Sequence, residues 1–238
     1  TFFMARRYPE RTKNKILELI REELGPDYDI EKHFTPTYKP WDQRICLIPN
    51  SDFFESIKAK TSSVVTDHIE KFEEKGIRLK SGNFLPADLI VTATGLILES
   101  FGGVKMSVDN KPIEASDTYT YRSLMYSGIP NLVSCFGYIN ASWTLKADLT
   151  SEYVCRLIKH MKKNDFEVVC PQFEVDIEES DDFLNGFSSG YIKRAADSQP
   201  KQGKEKPWIN LQDYFKDWID IKFKKLDDGY LNFSKLEK

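Results

Sequence analysis

The sequence is poor in the residues that build metal sites and disulfide frameworks. It has three histidines and four cysteines in 238 residues, and no two cysteines form a Cys-x-x-Cys pair. The histidines do not group with the cysteines at the spacing of a zinc site, so we expect no structural metal. Scattered cysteines with mostly apolar neighbours are typical of a reduced, cytoplasmic protein. The residues concerned are His33, His68, His160, Cys46, Cys135, Cys155 and Cys170.

Long apolar runs and a surplus of one charge are also missing. The longest uncharged apolar stretch, residues 89–98, is about half of the ~20 residues that a membrane-spanning helix needs. The formal net charge is only −3, whereas a nucleic-acid binder needs an excess of basic side chains. A hydrophobic content of 40% excludes a disordered chain. We therefore predict a globular cytoplasmic protein without a transmembrane segment, and leave peripheral membrane association and oligomeric state open.

Glycine-rich nucleotide motifs are absent as well. The twelve glycines never form the Gly-x-Gly of a dinucleotide site, and neither a phosphate-binding loop nor a Gly-x-Ser-x-Gly nucleophile motif occurs. The residues alone therefore predict no self-sufficient active site. The chain starts at Thr1 without a signal peptide, and we interpret it as a piece of a longer protein.

What is present is a mixed α/β pattern. Helical spacing of apolar residues predicts an amphipathic helix over 9–24 and a long helix from Ser142 to Lys163. Residues 28–50 carry several prolines and aromatic side chains and predict an ordered loop. Alternating, β-prone residues over 64–85 predict a small antiparallel meander.

Two nearly continuous apolar runs, residues 89–93 and 131–136, are typical of strands buried on both faces of a parallel sheet. They end at Gly95 and Gly137. A helix that begins directly beyond such a strand presents free backbone N–H groups suited to a flavin or phosphate oxygen, although an ordinary α/β connection has the same pattern. Further along, residues 198–207 predict a surface loop and 208–223 an amphipathic helix.

Three separated stretches then show a resemblance to a known family. The Asp-Leu-Ile-Val-Thr-Ala-Thr-Gly segment at 88–95 resembles the Ala-Thr-Gly segment of class B flavoprotein monooxygenases. The stretches 33–44 and 128–148 resemble the Baeyer–Villiger subgroup, and 200–208 also agrees. The resemblance spans essentially the whole chain. Family members are about twice as long, and the FAD and NADPH glycine motifs lie in the half that this chain does not contain.

The resemblance implies a fold and a domain organisation. The chain would be the C-terminal part of an α/β flavoprotein with two Rossmann-like dinucleotide-binding domains, a small antiparallel meander and a helical C-terminal extension. Residues 1–90 would complete the NADPH-binding domain, residues 91–165 would return to the FAD-binding domain, and residues 166–238 would form the extension. We further hypothesise that 198–208 is a mobile segment that orders over NADP.

The resemblance also implies site residues for FAD and NADPH. Arg44 matches the active-site arginine, and its permanently charged guanidinium suits the stabilisation of an anion beside the flavin. From the residues alone, a surface ion pair between Arg44 and Asp42 is the simpler interpretation. Gln43 lies where relatives often carry a basic residue for the NADPH 2′-phosphate. The other implied cofactor contacts are Thr94, Gly95, Gly137, Asn140, Ala141 and Ser142, and the implied substrate-pocket walls are Tyr138 and Trp143, for which core packing is an equal alternative.

The implied activity is that of an oxidoreductase. NADPH reduces FAD, and one oxygen atom of O2 is inserted into a ketone, giving an ester or lactone, or is added to a sulfide. One alternative is an N- or S-hydroxylating flavin monooxygenase with the same architecture. A second alternative is a catalytically silent, truncated binding module, and we expect the isolated chain to be inactive without the missing half.

Overall fold

The computed structural model describes residues 2–174, 176–180 and 186–236. The chain divides into two compact units, with the boundary after Gly95. Both units combine helices with short antiparallel strands, which confirms a mixed α/β class. Every pairing between strands in the described ranges is antiparallel.

The first unit contains helices followed by a three-stranded antiparallel sheet. Pro9 at the first turn and Gly25, with φ 86°, bound the predicted amphipathic helix at the expected residues. The predicted meander is also confirmed, in the strand order β1-β2-β3. The elements are α1 (Phe2–Arg7), α2 (Pro9–Leu24), α3 (Ile30–His33), α4 (Asp52–Lys58), β1 (Ile69–Glu73), β2 (Gly76–Leu79) and β3 (Phe84–Pro86).

The apolar core of this unit is small. Among the described residues up to 95, the buried apolar side chains are Ala5, Ile30, Ile57 and Leu79. Helix α2 buries none of its residues completely, although its apolar spacing is regular. Amphipathicity therefore predicts the helix correctly but not a fully buried face.

The prediction of a buried strand at 89–93 is wrong for this structure. The segment has no regular secondary structure, and the side chains of Leu89 and Val91 are 81% and 80% exposed. A strand buried on both faces requires neighbouring strands and covering layers. Within the described part of the chain no strand pairs with this segment.

Over its described residues, the second unit contains the long helix α5 and four two-stranded sheets. Strand β8 pairs with β11, with Val169 opposite Phe233. The other pairs are β4 with β5, β6 with β7, and β9 with β10. The elements are β4 (Met106–Val108), β5 (Lys111–Ile113), β6 (Thr120–Tyr121), β7 (Met125–Tyr126), α5 (Trp143–Asn164), β8 (Val168–Pro171), β9 (Glu179–Ser180), α6 (Gly190–Ala195), β10 (Gln202–Gly203), α7 (Tyr214–Phe223) and β11 (Leu231–Ser234).

The core of this unit forms around one face of α5. Leu149, Tyr153 and Leu157 are spaced four residues apart, so they lie on one side of the helix. They pack into the same apolar cluster as Trp208 and Ile221. The predicted long helix is confirmed to within one residue at each end. Its buried face fixes the position of its N-terminus, which is the part of interest for function.

Two further expectations for this unit are wrong. Residues 131–136 form no strand and pair with no other strand in the described ranges, although the Asn131 N–H donates to the Val169 carbonyl at 2.9 Å. Residues 198–207 are not a surface loop throughout, because Gln202 is 3% exposed and Pro207 is buried. Trp208 follows at 1% exposure, so this segment is anchored in the core.

The last predicted helix is shorter than expected. It begins at Tyr214 rather than at Trp208, because the Asp213 carboxylate accepts the Lys216 N–H at 3.2 Å and caps the helix there. Residues 208–213 are irregular, and their apolar spacing reflects burial of Trp208 rather than helical periodicity.

Candidate functional site

The structure places the predicted site residues in two groups. Gln43, Arg44, Thr94 and Gly95 belong to the first unit, and residues 137–143 belong to the second. Each group has its own surroundings within its unit.

Arg44 lies on an exposed part of the loop that follows α3. It lines a cavity of about 230 Å³ whose aromatic walls include Phe34 and Tyr38. The simpler interpretation of an Arg44–Asp42 pair is wrong, because Asp42 instead accepts from the Arg6 guanidinium at 2.8 Å. Within the described residues Arg44 forms no ion pair.

The other predicted residues of the first unit are less organised. Gln43 is partly exposed, lines the same cavity and forms an isolated parallel bridge with Pro40. Thr94 and Gly95 lie in an exposed segment without regular secondary structure, and Gly95 has φ 117°. A glycine tolerates this conformation without the strain that a side chain would impose.

In the second unit, the predicted residues lie in a turn over 137–142 and at Trp143, the first residue of α5; residues 137–143 are together called the 137–143 turn. Ser142 is the residue before the first helical position, but its side chain does not cap the helix; its Oγ lies 2.7 Å from Thr144 Oγ1. Ser142, Trp143 and Thr144 are exposed. The first-turn N–H groups of a 22-residue helix lack intrahelical acceptors and carry the positive end of its dipole, so the turn suits an electronegative atom.

Gly137 cannot be replaced without a clash. A Cβ at this position would lie 2.2 Å from the Trp143 ring, far inside van der Waals contact. The Trp143 ring also packs against Phe136 with centroids 5.4 Å apart, while 49% of Trp143 remains exposed. The glycine therefore allows the tryptophan to fold back over the turn.

Gln212 fixes the turn through two hydrogen bonds. Its Oε1 accepts the Ile139 N–H at 2.8 Å, and its backbone carbonyl accepts the Asn140 side-chain amide at 2.9 Å. Gln212 Nε2 in turn donates to Asn210 Oδ1 at 3.2 Å. The Asn140 side chain is therefore engaged with the protein, and what it contributes to the turn is rigidity.

A buried ion cluster lies beneath the turn. Asp217 Oδ2 accepts from the Tyr138 hydroxyl and from Lys146 Nζ, both at 2.9 Å, and Lys206 Nζ donates to Oδ1 at 2.7 Å. Asp217 and Lys146 are each 1% exposed. Tyr138 is equally buried, so core packing is the interpretation that its position favours, rather than a substrate wall.

The charged groups in this cluster shift one another's pKa values. Burial alone would raise the pKa of Asp217, but the ammonium groups of Lys146 and Lys206 outweigh burial and hold that pKa below its usual range. Burial lowers the pKa of Lys146, with Asp217 opposing the shift. Burial and then the Asp217 carboxylate raise the pKa of Tyr138, which keeps the phenol a hydrogen-bond donor.

Reasoning from the sequence missed the residues that support the turn, namely Gln212, Asp217, Lys146 and Lys206. One signal was present: Asp217 stands beside Trp218 and one helical turn before Ile221, where an apolar residue would be expected. A carboxylate at a core position of a helix indicates a buried partner.

The described ranges hold neither a cluster of metal ligands nor a membrane-spanning helix. No group of three or more metal-binding side chains occurs there. None of the helices found there combines the length and apolar character needed to cross a bilayer. All four cysteines are described, and all are free; Cys46, Cys135 and Cys155 are exposed, and Cys170 is partly exposed.

Comparison with known proteins identifies relatives over nearly the whole chain. No family model matches it. It is 45% identical over 234 residues to a protein named "Probable FAD-binding monooxygenase AlmA" from an Acinetobacter species. It is 44% identical to the FAD-containing monooxygenase EthA of Mycolicibacterium smegmatis and 47% identical to EthA of Mycobacterium tuberculosis, each over 232 residues.

These alignments cover 97–98% of this chain but 47% of each relative. The chain thus spans about half the length of the curated relatives that it matches. The resemblance seen in the sequence is confirmed at the level of FAD-containing monooxygenases. By descent, this chain is a homologue of half of an FAD-containing monooxygenase.

Proposed function

We propose that the chain is the part of an FAD-dependent monooxygenase that completes its flavin site and supplies Arg44. The observation that carries this proposal is the identity of 44–47% to FAD-binding and FAD-containing monooxygenases over 97–98% of the chain. When bound, FAD supplies the electron transfer and oxygen activation that amino-acid side chains lack. NADPH is proposed as the source of electrons, on the basis of the family resemblance.

The residues in the 137–143 turn fit a flavin. The turn is exposed at Ser142 and Trp143, and the N–H groups at the start of α5 suit an electronegative ring oxygen. Gln212 fixes the backbone at Ile139, so these donors are ordered before a ligand arrives. In the proposal Ala141 and Ser142 bind the ring edge, while Gly137 and Asn140 maintain the shape of the turn.

Arg44 would hold a fixed positive charge where negative charge develops. A guanidinium stays protonated at any working pH, and no carboxylate among the described residues pairs with Arg44. Its stabilisation of an anion would be largest in a site from which water is excluded. Gln43 is proposed to contact NADPH, where its neutral amide favours the 2′-phosphate less than a basic residue would.

The exposed apolar segments also fit this proposal. We propose that residues 89–93 and 131–136 become strands of the two nucleotide-binding sheets when the remaining half of the protein is present, with Thr94 and Gly95 at the crossing between the domains. The high exposure of Leu89 and Val91 supports this, because such side chains are expected to be covered. The division at 1–90, 91–165 and 166–238 remains a prediction.

The proposed substrate is a ketone or a sulfide, with O2 as the second substrate. Baeyer–Villiger insertion is preferred on the family resemblance, and hydroxylation of nitrogen or sulfur is the alternative. A product assay separates the two, because a lactone from a cyclic ketone, or an ester from an open-chain ketone, arises only from insertion.

The experiment is a chimera in which this chain replaces the matched half of the Mycolicibacterium smegmatis relative. We expect the chimera to purify yellow and to consume NADPH and O2 in the presence of substrate. Arg44→Ala should retain flavin absorbance but reduce product formation by about 100-fold or more, the usual loss when a charge-stabilising group is removed. The matched control is Arg11→Ala, an exposed arginine of α2, which should be unchanged.

Two results would contradict the proposal. Wild-type product formation by the Arg44→Ala chimera would remove Arg44 from the reaction. A chimera that folds but stays colourless would instead favour a binding module without catalytic function, an alternative supported by the exposed apolar side chains of 89–97.

A further inference from the structure

Three buried amide side chains are joined by hydrogen bonds next to the 137–143 turn. Gln202, Asn210 and Gln212 are 3%, 9% and 6% exposed. Gln202 Oε1 accepts the Asn210 N–H at 2.8 Å. Asn210 Oδ1 accepts from the Gln212 N–H at 3.3 Å and from Gln212 Nε2 at 3.2 Å. Because Gln212 Oε1 in turn accepts the Ile139 N–H, these hydrogen bonds connect strand β10 with the turn.

Gln212 adopts a backbone conformation that is unfavourable for a residue with its side chain. Its φ is 50°, in the left-handed region where glycine and asparagine are more usual. Two bonds to Asn210 hold it there, one from the backbone N–H of Gln212 and one from its side chain. A glycine at this position would remove the strain, but it would also remove the amide that contacts Ile139. Strained residues that the surrounding structure maintains cluster at functional sites, which favours a functional role for this side chain.

The contacts of Gln212 order the backbone directly before the first residues of α5. Its Oε1 accepts the Ile139 N–H, and its carbonyl accepts the Asn140 side-chain amide, so one residue holds two consecutive residues of the turn. Ile139 and Asn140 are both partly exposed. Water can therefore replace these hydrogen bonds but cannot fix their direction. The side chain of Gln212 thus contributes to the shape of the turn more than to the burial of the core.

From these observations we propose that Gln212 is a positioning residue that determines how tightly the protein holds FAD. The inference rests on the proposed function, in which N–H groups of the 137–143 turn face the flavin. A mobile turn presents these donors correctly for only a fraction of the time, and the apparent dissociation constant rises in inverse proportion to that fraction. Gln212 keeps the fraction high before FAD arrives. Since it acts through the backbone of the turn, its effect falls on FAD affinity and not on the chemical step.

Amide hydrogen exchange, measured residue by residue by NMR, tests the positioning on the chain as it stands. Gln212→Met keeps the length of the side chain but removes its polar groups. Exchange at Ile139 should become about five-fold faster, the usual effect of one lost neutral hydrogen bond. The matched control is Gln172→Met, at an exposed glutamine of the same unit, which should leave exchange at Ile139 unchanged.

Titration of the chimera with FAD, after removal of its flavin, tests the consequence for binding. The apparent dissociation constant of FAD should rise by up to about five-fold in Gln212→Met and stay at the wild-type value in Gln172→Met. At saturating FAD, product formation by Gln212→Met should return to the wild-type rate. This recovery separates positioning from general damage to the fold. Gln212→Gly is a second variant that suits φ 50°, and it should weaken FAD binding in the same way.

Three outcomes would overturn the inference alone. Ile139 could exchange at the same rate in Gln212→Met and the wild type, or both Gln212 variants could bind FAD as tightly as the wild type. Product formation that stays low at saturating FAD would show a defect beyond affinity. A wild-type chimera that folds but stays colourless would instead contradict the proposed function, and the role of Gln212 toward FAD would fall with it.

Discussion

The two units of the chain bury their apolar side chains to very different extents. Over the described residues, and with prolines not counted, the unit up to Gly95 buries four apolar side chains, whereas the unit after it buries sixteen. The first unit leaves Leu47, Leu89 and Val91 at 80% exposure or more. Since burial of apolar area is the main stabilising term in folding, the second unit can be stable through its own core, and the first has apolar surface still to cover.

The ion pairs of the two units differ in the same way. In the second unit Arg122 and Asp217 are buried with two partners each. In the first unit the described pairs are exposed, such as Arg21 with Glu31, or partly exposed, such as Arg78 with Glu73. Exposed pairs contribute roughly 0–1 kcal/mol, whereas removal of one partner from a buried pair leaves an uncompensated charge. Polar substitutions should therefore be costly in the second unit and mild in the first.

Asp217→Ala should have the largest effect. It leaves the ammonium group of Lys146 buried without a counter-ion, and we expect the free energy of unfolding of the second unit to fall by about 3–5 kcal/mol. Denaturant unfolding followed by the fluorescence of the buried Trp208 measures the change. Asp227→Ala, at an exposed aspartate of the same unit, is the control and should stay within about 0.5 kcal/mol of the wild type. Equal stability of the two variants would contradict the importance of the buried cluster.

Gly137→Ala should cost less, about 1–3 kcal/mol, because the new methyl group displaces the Trp143 ring. The double variant Gly137→Ala with Trp143→Ala removes the clash, so the two changes should be non-additive. A double-mutant cycle in denaturant measures this coupling. Additive losses would show that the glycine serves the backbone and not the ring. Gly25→Ala should show no corresponding penalty from crowding, since no heavy atom lies within 4 Å of the position that its Cβ would occupy.

Acidification should weaken the second unit through Asp217. Its pKa is lower in the folded state than in the unfolded chain, where aspartate titrates near ~3.9, so its contribution to stability is present above that pH and is lost as pH falls through the folded pKa. One such carboxyl contributes at most about 1.4 kcal/mol per pH unit in this window. The slope of unfolding free energy against pH below ~pH 4 should be smaller in Asp217→Asn than in the wild type. Identical slopes would show that Asp217 does not titrate differently on folding.

Patterns within short stretches of the sequence correctly predicted two helices, α2 and α5, and the β-meander of the first unit. The bounds of α2 and α5 followed from helical spacing, Pro9 and Gly25, and the meander followed from alternation and the turn at Gly82. The support of the 137–143 turn could not be predicted, because Asp217 meets Lys146 across 71 residues and Gln212 meets Ile139 across 73. The site residues themselves came from family resemblance, which identifies positions but not the contacts that hold them.

The apolar runs at 89–93 and 131–136 were predicted as buried strands from their composition, and this prediction is wrong for the present structure. Their composition is that of buried strands, but a strand also needs a neighbour for its backbone hydrogen bonds, and no pattern within the segment provides one. The structure leaves both without a strand partner in the described ranges. Composition therefore shows that these segments are suited to form buried strands, but it does not show whether a partner strand is present.

Leu89→Ala, in the first unit, should have the smallest effect on the stability of this chain. It tests whether the exposed apolar surface of that unit is covered in the complete protein. The side chain is 81% exposed, so in this chain the free energy of unfolding should change by no more than about 0.5 kcal/mol. In the chimera with the remaining half of the relative, the same substitution should cost distinctly more and lower the flavin content, since the proposed strand would bury Leu89. Denaturant unfolding of both proteins, with the flavin absorbance of the chimera, measures the difference. If the substitution is equally mild in both, residues 89–93 are not a covered strand, and the exposed apolar surface of the first unit must serve another purpose.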